Sequence, residues 1–360
     1  MTGTVLVVGA SGLVGAACVA EFAAAGWRVL AVSRRAPEAA AEVAFQHLPV
    51  DLRDPAAVRA AAGRFAEVTH VVYAAVFEKP DLVRGWREPH QMAINLAMFQ
   101  SVTEALRSAP VEHLTLLQGT KAYGVHHHPI RVPARERHPR DPHQNFYWLQ
   151  EDHLRAVARE RDLSWTVLRP QLVVGPTHGV AMNLPPVIGA YAAICRAEGL
   201  PFGFPGGPSY VTQAVDVRLV ARAARWAAGS PAARGEHFNL TNGEVFGWRD
   251  LWPALAEESG LEPAPDTPRR LAEFLPAHAA TWDRLVRRHG LRPLALPALL
   301  GASHHYADFH FATGARTAPP PALVSTVKVS QAGFTDTWDT ELSFRHWLRA
   351  LVDRGVLPPG

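Results

Sequence analysis

The sequence is poor in cysteine, in net charge and in long apolar runs, and each shortage excludes a class of protein. Cys18 and Cys195 are the only cysteines in 360 residues, too few for a disulfide framework, so a reducing cytoplasm is the expected location. No apolar run reaches the roughly 18 residues of a membrane-spanning helix, and the N-terminal residues lack the pattern of an export signal. With a formal net charge of only +3 and no Lys/Arg-rich run, nucleic acid is not an expected partner.

Lysine is also scarce, since only Lys79, Lys121 and Lys328 occur among 36 Lys and Arg residues. In a chain that otherwise uses arginine, a lysine is a candidate for a position that needs a compact ammonium with an adjustable pKa. The bias by itself favours none of the three.

The first 35 residues contain a complete βαβ unit. A short β-branched strand at Thr4–Val8 is followed by Gly9, Gly12 and Gly15, a helix, and a second strand at Trp27–Val32. The three glycines allow a tight turn, a close approach to a pyrophosphate and close packing of helix on strand, and the helix N-terminus attracts phosphate. A glycine triplet between a strand and a helix predicts a dinucleotide site.

The end of the second strand selects between the two nicotinamide dinucleotides. An NAD site usually has an acidic residue there, whereas this strand ends in Ser33, Arg34 and Arg35. Hydroxyl and guanidinium donors suit the 2′-phosphate of NADP, so NADPH/NADP+ is the predicted cofactor. The alternative is that these arginines are only solvated surface residues.

Strands and helices continue to alternate as far as Pro170, which predicts an α/β protein with a Rossmann-type doubly wound parallel sheet. We predict an NADP-binding domain over residues 1–175, to which residues 212–242 return, and a smaller, mostly helical substrate lobe over residues 176–360. At the end of the returning segment, Asn242–Gly243 has the composition of a β-hairpin turn. The predicted cofactor contacts are Gly9, Ser11, Gly12, Leu13, Gly15, Ser33, Arg34, Arg35, Asp51, Leu52, Ala74, Ala75, Gln118, Pro170 and Val173.

Two stretches near the predicted strand ends carry candidate chemistry. Tyr147 opens a predicted helix, but the residue four positions later is Glu151, where ordinary short-chain dehydrogenase/reductases have a lysine. Gly119 stands where they have a serine or threonine, and Lys121 follows it in the next loop. Both usual partners of the tyrosine are therefore missing, and a lysine occurs where none is usual.

This combination resembles the progesterone 5β-reductase/iridoid synthase-like family, a divergent branch of the short-chain dehydrogenase/reductases. The resemblance rests on "QGTKAY" at 118–123 and "NFYWLQED" at 145–152, with Trp148 where many members have a second tyrosine. It extends through "GASGLVG", "SRR", "LRPQLVVGPTHGVAMN" and "GFTDTWDT". It implies hydride transfer from NADPH to the β-carbon of an α,β-unsaturated carbonyl, with Tyr147 stabilising the enolate and Lys121 tuning the phenol. A small hydrophobic enone or enal is the implied substrate.

Two other functions stay open at this point. One is an ordinary carbonyl reductase or sugar-nucleotide epimerase, which Gly119 and Glu151 disfavour. The other is a non-catalytic NADP-binding sensor, which the joint presence of Lys121 and Tyr147 disfavours. The sequence does not decide the oligomeric state, for which a homodimer is one candidate.

Histidines and aromatic residues offer two further hypotheses. Adjacent histidines, as in "HHH" at 126–128 and at His304–His305, are not expected to point to one spot, so no metal site is predicted. Aromatic residues crowd residues 300–345, where they either line an apolar substrate cleft or form core; they are Tyr306, Phe309, Phe311, Phe334 and Trp338.

Overall fold

The computed structural model of the chain describes residues 3–38, 43–79 and 85–360. The chain forms two compact units. The first comprises residues 1–171, 217–240 and 324–336, and the second comprises residues 172–216, 241–323 and 337–360. Across the described ranges, no helix is both long and apolar enough to cross a bilayer.

Strands build one large sheet in the first unit and two small sheets in the second. In the described parts of the chain the strands are β1 (Thr4–Val8), β2 (Arg28–Ser33), β3 (Gln46–Pro49), β4 (His70–Tyr73), β5 (His113–Leu117), β6 (Ser164–Pro170), β7 (Leu172–Val174), β8 (Val211–Thr212), β9 (Ala214–Asp216), β10 (Glu236–Leu240) and β11 (Phe246–Gly247). The large sheet has seven strands in the order β10-β6-β5-β4-β1-β2-β3, and each neighbouring pair is parallel. The predicted α/β Rossmann-type fold is confirmed.

The register of the central strands brings their carboxyl ends to one edge of the sheet. Val8 lies opposite Val32 on one side and opposite Tyr73 on the other. The chain segments that follow β1, β2 and β4 therefore leave the sheet together, which is where parallel α/β sheets bind ligands. Residues Val5 to Val8 are fully buried, as in a strand covered on both faces.

The described helices of the first unit include two packed groups. Over the described residues the named helices are α1 (Leu13–Ala24), α2 (Pro55–Ala60), α3 (Pro89–Ala105), α4 (Phe146–Arg161), α5 (Pro185–Glu198), α6 (Val217–Gly229), α7 (Trp248–Glu258), α8 (Leu271–Ala277), α9 (Ala279–His289), α10 (Leu296–Leu300), α11 (Ser303–His310), α12 (Val327–Gln331) and α13 (Thr340–Asp353). Helix α1 packs against α6, while α3 packs against α2 and α4. The second group covers a core in which the rings of Tyr73 and Phe99 meet edge to face at 4.7 Å.

The second unit is mostly helical and has an aromatic core of its own. Phe311 is fully buried and packs against Phe204, Trp248 and Trp252. By contrast, 65% of Phe309 is exposed. Phe311 is therefore a core residue, and Phe309 is a surface residue.

The predicted hairpin at Asn242–Gly243 is wrong. Strand β10, on its N-terminal side, pairs in parallel with β6 inside the large sheet, and β11, on its C-terminal side, pairs with β8. The Asn242 backbone N–H donates to the Ala214 carbonyl, and its side-chain oxygen accepts from the Asp216 N–H. These contacts with residues distant in sequence hold the turn, and no local pattern reveals them.

Candidate active site

The glycine loop after β1 is packed too tightly for side chains at two positions. Gly9 has a φ of +84°, and a Cβ there would lie 2.7 Å from the backbone of Ala75. A Cβ on Gly15 would lie 2.1 Å from the Gly9 carbonyl oxygen. Among the described residues no side chain caps the N-terminus of α1 at Gly12, so the first-turn N–H groups are available to a phosphate.

The segment after β2 is cationic. Arg34 and Arg35 are exposed, and the Ser33 hydroxyl donates to the Arg35 carbonyl at 2.6 Å. A hydrogen bond from Arg53 lowers the pKa of Asp51 to about 2, and the charge of Arg34 contributes in the same direction. Two guanidinium groups, those of Arg53 and Arg34, therefore act on the Asp51 carboxylate.

Four other residues that we predicted to contact the cofactor lie in environments that differ from one another. Leu52 is buried in the core of the large sheet. Pro170 is the last residue of β6, whereas Val173 lies in β7 of the second unit. The Gln118 side chain bonds to protein groups, donating to the Tyr147 carbonyl at 3.2 Å and accepting from Arg169 at 3.1 Å.

Asn145 joins the two segments that carry the candidate catalytic residues. It is the N-cap of α4, is only 3% exposed, and accepts a hydrogen bond from the Tyr147 N–H at 3.0 Å. Its amide nitrogen donates to the Lys121 carbonyl, also at 3.0 Å. One side chain therefore fixes the start of the helix and the neighbouring loop together.

Trp86 is the common neighbour of Lys121 and Tyr147. The Lys121 ammonium lies 4.0 Å from the centre of the Trp86 ring, a cation–π contact, and the Tyr147 ring meets the same indole edge to face at 5.2 Å. The indole N–H donates to Glu78 at 2.8 Å. Burial lowers the pKa of Lys121 below its ordinary value, and the charge of Glu78 opposes this shift.

Gly119 faces the hydroxyl of Tyr147. A Cβ at Gly119 would lie 3.5 Å from the Tyr147 hydroxyl oxygen and 3.6 Å from the Pro170 carbonyl oxygen. These are ordinary contact distances, so the site has room at this point. A serine side chain would project a second hydroxyl toward the phenol.

Glu151, four residues after the tyrosine, is the centre of a buried ionic cluster. Its carboxylate oxygens face four nitrogen groups: Arg140 at 2.9 Å, Arg155 at 3.0 Å, His237 at 3.0 Å and Arg169 at 3.6 Å. Burial alone would raise the pKa of this carboxyl, but the hydrogen bonds and charges of His237 and Arg140 outweigh it and hold the pKa well below its ordinary value. A lysine at this position would face three guanidinium groups.

The side chains of the histidines at 126–128 were expected to point to different places, but two of them point to the same place. The rings of His126 and His127 both lie against His143, and one ring nitrogen from each residue lies within 4.8 Å of the others. Burial and the neighbouring histidines lower the pKa of His126 to about 3. The premise that adjacent histidines cannot share a spot was therefore wrong, because a third histidine lies opposite both.

Two residues of this site were missed in the sequence. Asn145 has a local signal, since an asparagine directly before a helix is a favoured N-cap. Trp86 has none, because it lies 35 residues before Lys121 and only the tertiary fold brings the two together.

Comparisons with known proteins agree with this architecture. The model of the NAD dependent epimerase/dehydratase family matches residues 5–241. Among solved structures, a UDP-glucose 4-epimerase of Thermus thermophilus in complex with NAD superposes with a TM-score of 0.65 at 22% identity, covering 96% of this chain and 99% of that chain. At that identity the similarity establishes the fold alone.

Curated relatives are more similar in sequence. The (S)-8-oxocitronellyl enol synthase of Antirrhinum majus is 28% identical over 98% of this chain and 92% of the relative. The 3-oxo-Delta(4,5)-steroid 5-beta-reductase of Arabidopsis thaliana is 30% identical over 80% of this chain and 78% of the relative.

Proposed function

Because this chain belongs to the NAD dependent epimerase/dehydratase family, and within it to the progesterone 5β-reductase/iridoid synthase-like group, we propose that it reduces the C=C bond of α,β-unsaturated carbonyls with NADPH. The observation that carries the proposal is the arrangement of Lys121 and Tyr147 around Trp86, with no side chain at Gly119. The substrate class that we propose is a small hydrophobic enone or enal.

The residues after β1 and β2 fit a dinucleotide. Gly9 and Gly15 lie so close to neighbouring backbone that neither leaves room for a Cβ, which keeps the loop compact beside the uncapped start of α1, where a pyrophosphate fits. The backbone at Gly12 and the first-turn N–H groups of α1 would hold the pyrophosphate, and Arg34 and Arg35 the 2′-phosphate. When bound, the reduced nicotinamide supplies the hydride.

Tyr147 and Lys121 handle the negative charge that the reduction creates on the substrate. As the β-carbon of the enone gains a hydride, electrons move to the carbonyl oxygen and form an enolate. The Tyr147 phenol donates a hydrogen bond to that oxygen, which stabilises the charge most in the transition state. A nearby ammonium strengthens a phenol as a donor, which is the role we assign to Lys121.

A product assay separates this reaction from its alternatives. The protein is incubated with NADPH and 2-cyclohexen-1-one, progesterone or citral, nicotinamide oxidation is followed by absorbance, and the products are identified. The saturated ketone or aldehyde is the expected product. An allylic alcohol would instead identify a carbonyl reductase, and tight NADPH binding without turnover on any substrate would identify a sensor.

The choice of NADPH over NADH is tested at the end of β2. The double substitution of Arg34 and Arg35 by alanine should raise KM for NADPH about 10- to 100-fold, because hydrogen bonds to a charged group contribute about 1.5–3 kcal/mol. KM for NADH should change little, since NADH lacks the 2′-phosphate. Arg64→Ala, an exposed arginine of the same unit, is the control. An equal loss for both cofactors would contradict the assignment.

The pH dependence of turnover tests Lys121. The ammonium form is the active one, so kcat should fall as the pH rises through the lowered pKa of Lys121, below the ordinary value of about 10.4. Lys121→Met should lower kcat at pH 7 by about tenfold or more and abolish this alkaline decline.

A second lysine serves as the control for that substitution. Lys328 pairs with Glu236 at 2.6 Å, and Lys328→Met should leave both kcat and the alkaline decline unchanged. An unchanged pH profile in Lys121→Met would remove Lys121 from the mechanism.

The cysteines accord with the cytoplasm as the compartment that we propose. Cys18 and Cys195 are both buried, free thiols, as expected in a reducing environment.

A further inference from the structure

We propose that His126, His127 and His143 form a binding site for one divalent transition metal ion of the zinc class. The three side chains offer ring nitrogens that all lie within 4.8 Å of one another. Imidazole nitrogen is a preferred ligand of Zn²⁺ and of its neighbours in the transition series. Three protein ligands leave a fourth tetrahedral position for water.

The hydrogen bonds around His143 give it the tautomer of a metal ligand. Because the Tyr147 N–H can only donate, the Asn145 atom that accepts from it is the oxygen, and the other amide atom is the nitrogen. That nitrogen lies 3.0 Å from Nε2 of His143, so Nε2 carries a lone pair. Nδ1 then carries the proton and donates it to Asp141 at 2.6 Å.

A carboxylate behind a histidine is the usual support of a metal-bound imidazole. It orients the ring and raises the basicity of the ligating nitrogen. Asp141 fulfils this role for His143 and also lies 2.8 Å from His128, which extends the cluster to a fourth histidine. A bound metal ion would replace the Asn145 amide as the partner of the Nε2 lone pair of His143.

His126 provides the second observation in favour of a metal site. Both of its ring nitrogens are buried and have no hydrogen-bond partner within the described parts of the chain. A buried polar atom without a partner is costly, and a metal ion would satisfy one of the two. The guanidinium of Arg87, which donates to the His126 carbonyl, adds a nearby positive charge and should moderate the affinity.

Closing the site requires a modest movement. Zinc–nitrogen bonds of about 2.0 Å in a tetrahedral site place the ligating nitrogens roughly 3.3 Å apart. The widest nitrogen pair, within 4.8 Å, must therefore approach by roughly 1.5 Å. The ring of His127 is exposed and can supply this movement by changing rotamer.

Titration of the tag-free, EDTA-treated protein with ZnCl₂ tests the proposal. We expect one equivalent to bind with micromolar or tighter affinity, and one equivalent of Co²⁺ to give the visible absorption of a tetrahedral site. His127→Gln should weaken Zn²⁺ binding at least tenfold. Because His127 is exposed, this variant should fold normally, which circular dichroism checks.

A matched control separates the cluster from the other histidines of the chain. His289, exposed at the end of α9, is replaced by glutamine and should leave the affinity unchanged. Asp141→Asn should weaken binding by about 10- to 100-fold. Unchanged affinity in His127→Gln, or no zinc binding by the wild-type protein, would overturn the proposal.

Discussion

Tyr147→Phe is expected to lower kcat for enone reduction by about 100- to 1000-fold while leaving the Kd for NADPH within about twofold. The substitution removes only the hydroxyl that faces Gly119, and loss of one donor to a developing oxyanion costs about that factor. The ring and its contacts with Trp86 and Phe146 are retained, so the fold should be unaffected. Single-turnover kinetics and a fluorescence titration with NADPH measure the two quantities.

Tyr123→Phe is the matched control. Tyr123 lies two residues after Lys121, and its hydroxyl donates to Asn239 at 2.7 Å. Its loss should cost about 1 kcal/mol of stability and little activity. Near-wild-type turnover in Tyr147→Phe would show that another group stabilises the enolate.

Glu151→Lys is expected to lower the free energy of unfolding by at least about 3–5 kcal/mol, which is the cost of breaking a buried ion pair. The new ammonium would face Arg140, Arg155 and Arg169 in a site where the native carboxylate is only 2% exposed. The substitution restores the lysine of ordinary short-chain reductases, yet it should not restore their chemistry. Urea unfolding gives the free energy, since its midpoint falls with stability.

Glu160→Lys, on the same helix, is the control for that experiment. Glu160 is 67% exposed and forms a surface ion pair with Arg107, so its reversal should change stability by less than about 1 kcal/mol. If Glu151→Lys lowered the free energy of unfolding no more than Glu160→Lys does, the cluster would add no stability.

The low pKa of Glu151 also has a consequence for the wild type. The stabilising contribution of Glu151 is present above the unfolded pKa, about 4.3, and is lost as the pH falls through the lowered folded pKa.

Local sequence patterns predicted the first βαβ unit of the fold well. Strand β1 has the predicted bounds, Gly9 turns with a positive φ, and Gly15 packs closely against the backbone at Gly9. This segment was predictable because its turn and its close packing depend on the spacing of glycines within about a dozen consecutive residues. The same holds for α4, whose first turn is set by the adjacent Asn145.

The parts that could not be predicted depend on contacts between distant residues. Glu151 draws its partners from Arg140, Arg155, Arg169 and His237, which share no local pattern. Likewise, β10 joins the large sheet because β6 is available beside it, and this overrides the turn composition at its end. Trp86 and the convergence of His143 with the preceding histidines belong to the same class.

The position of β10 at the edge of the large sheet has a consequence for how the protein folds during synthesis. The first 171 residues supply six of the strands, but β10, α6 and α12 of the same unit emerge from the ribosome much later. Until residue 240 has been made, β6 is an uncovered edge and Glu151 lacks His237. Such non-local pairing slows folding and leaves the nascent chain open to aggregation, and the unpaired edge of β6 is exposed to such contacts until the last strand arrives.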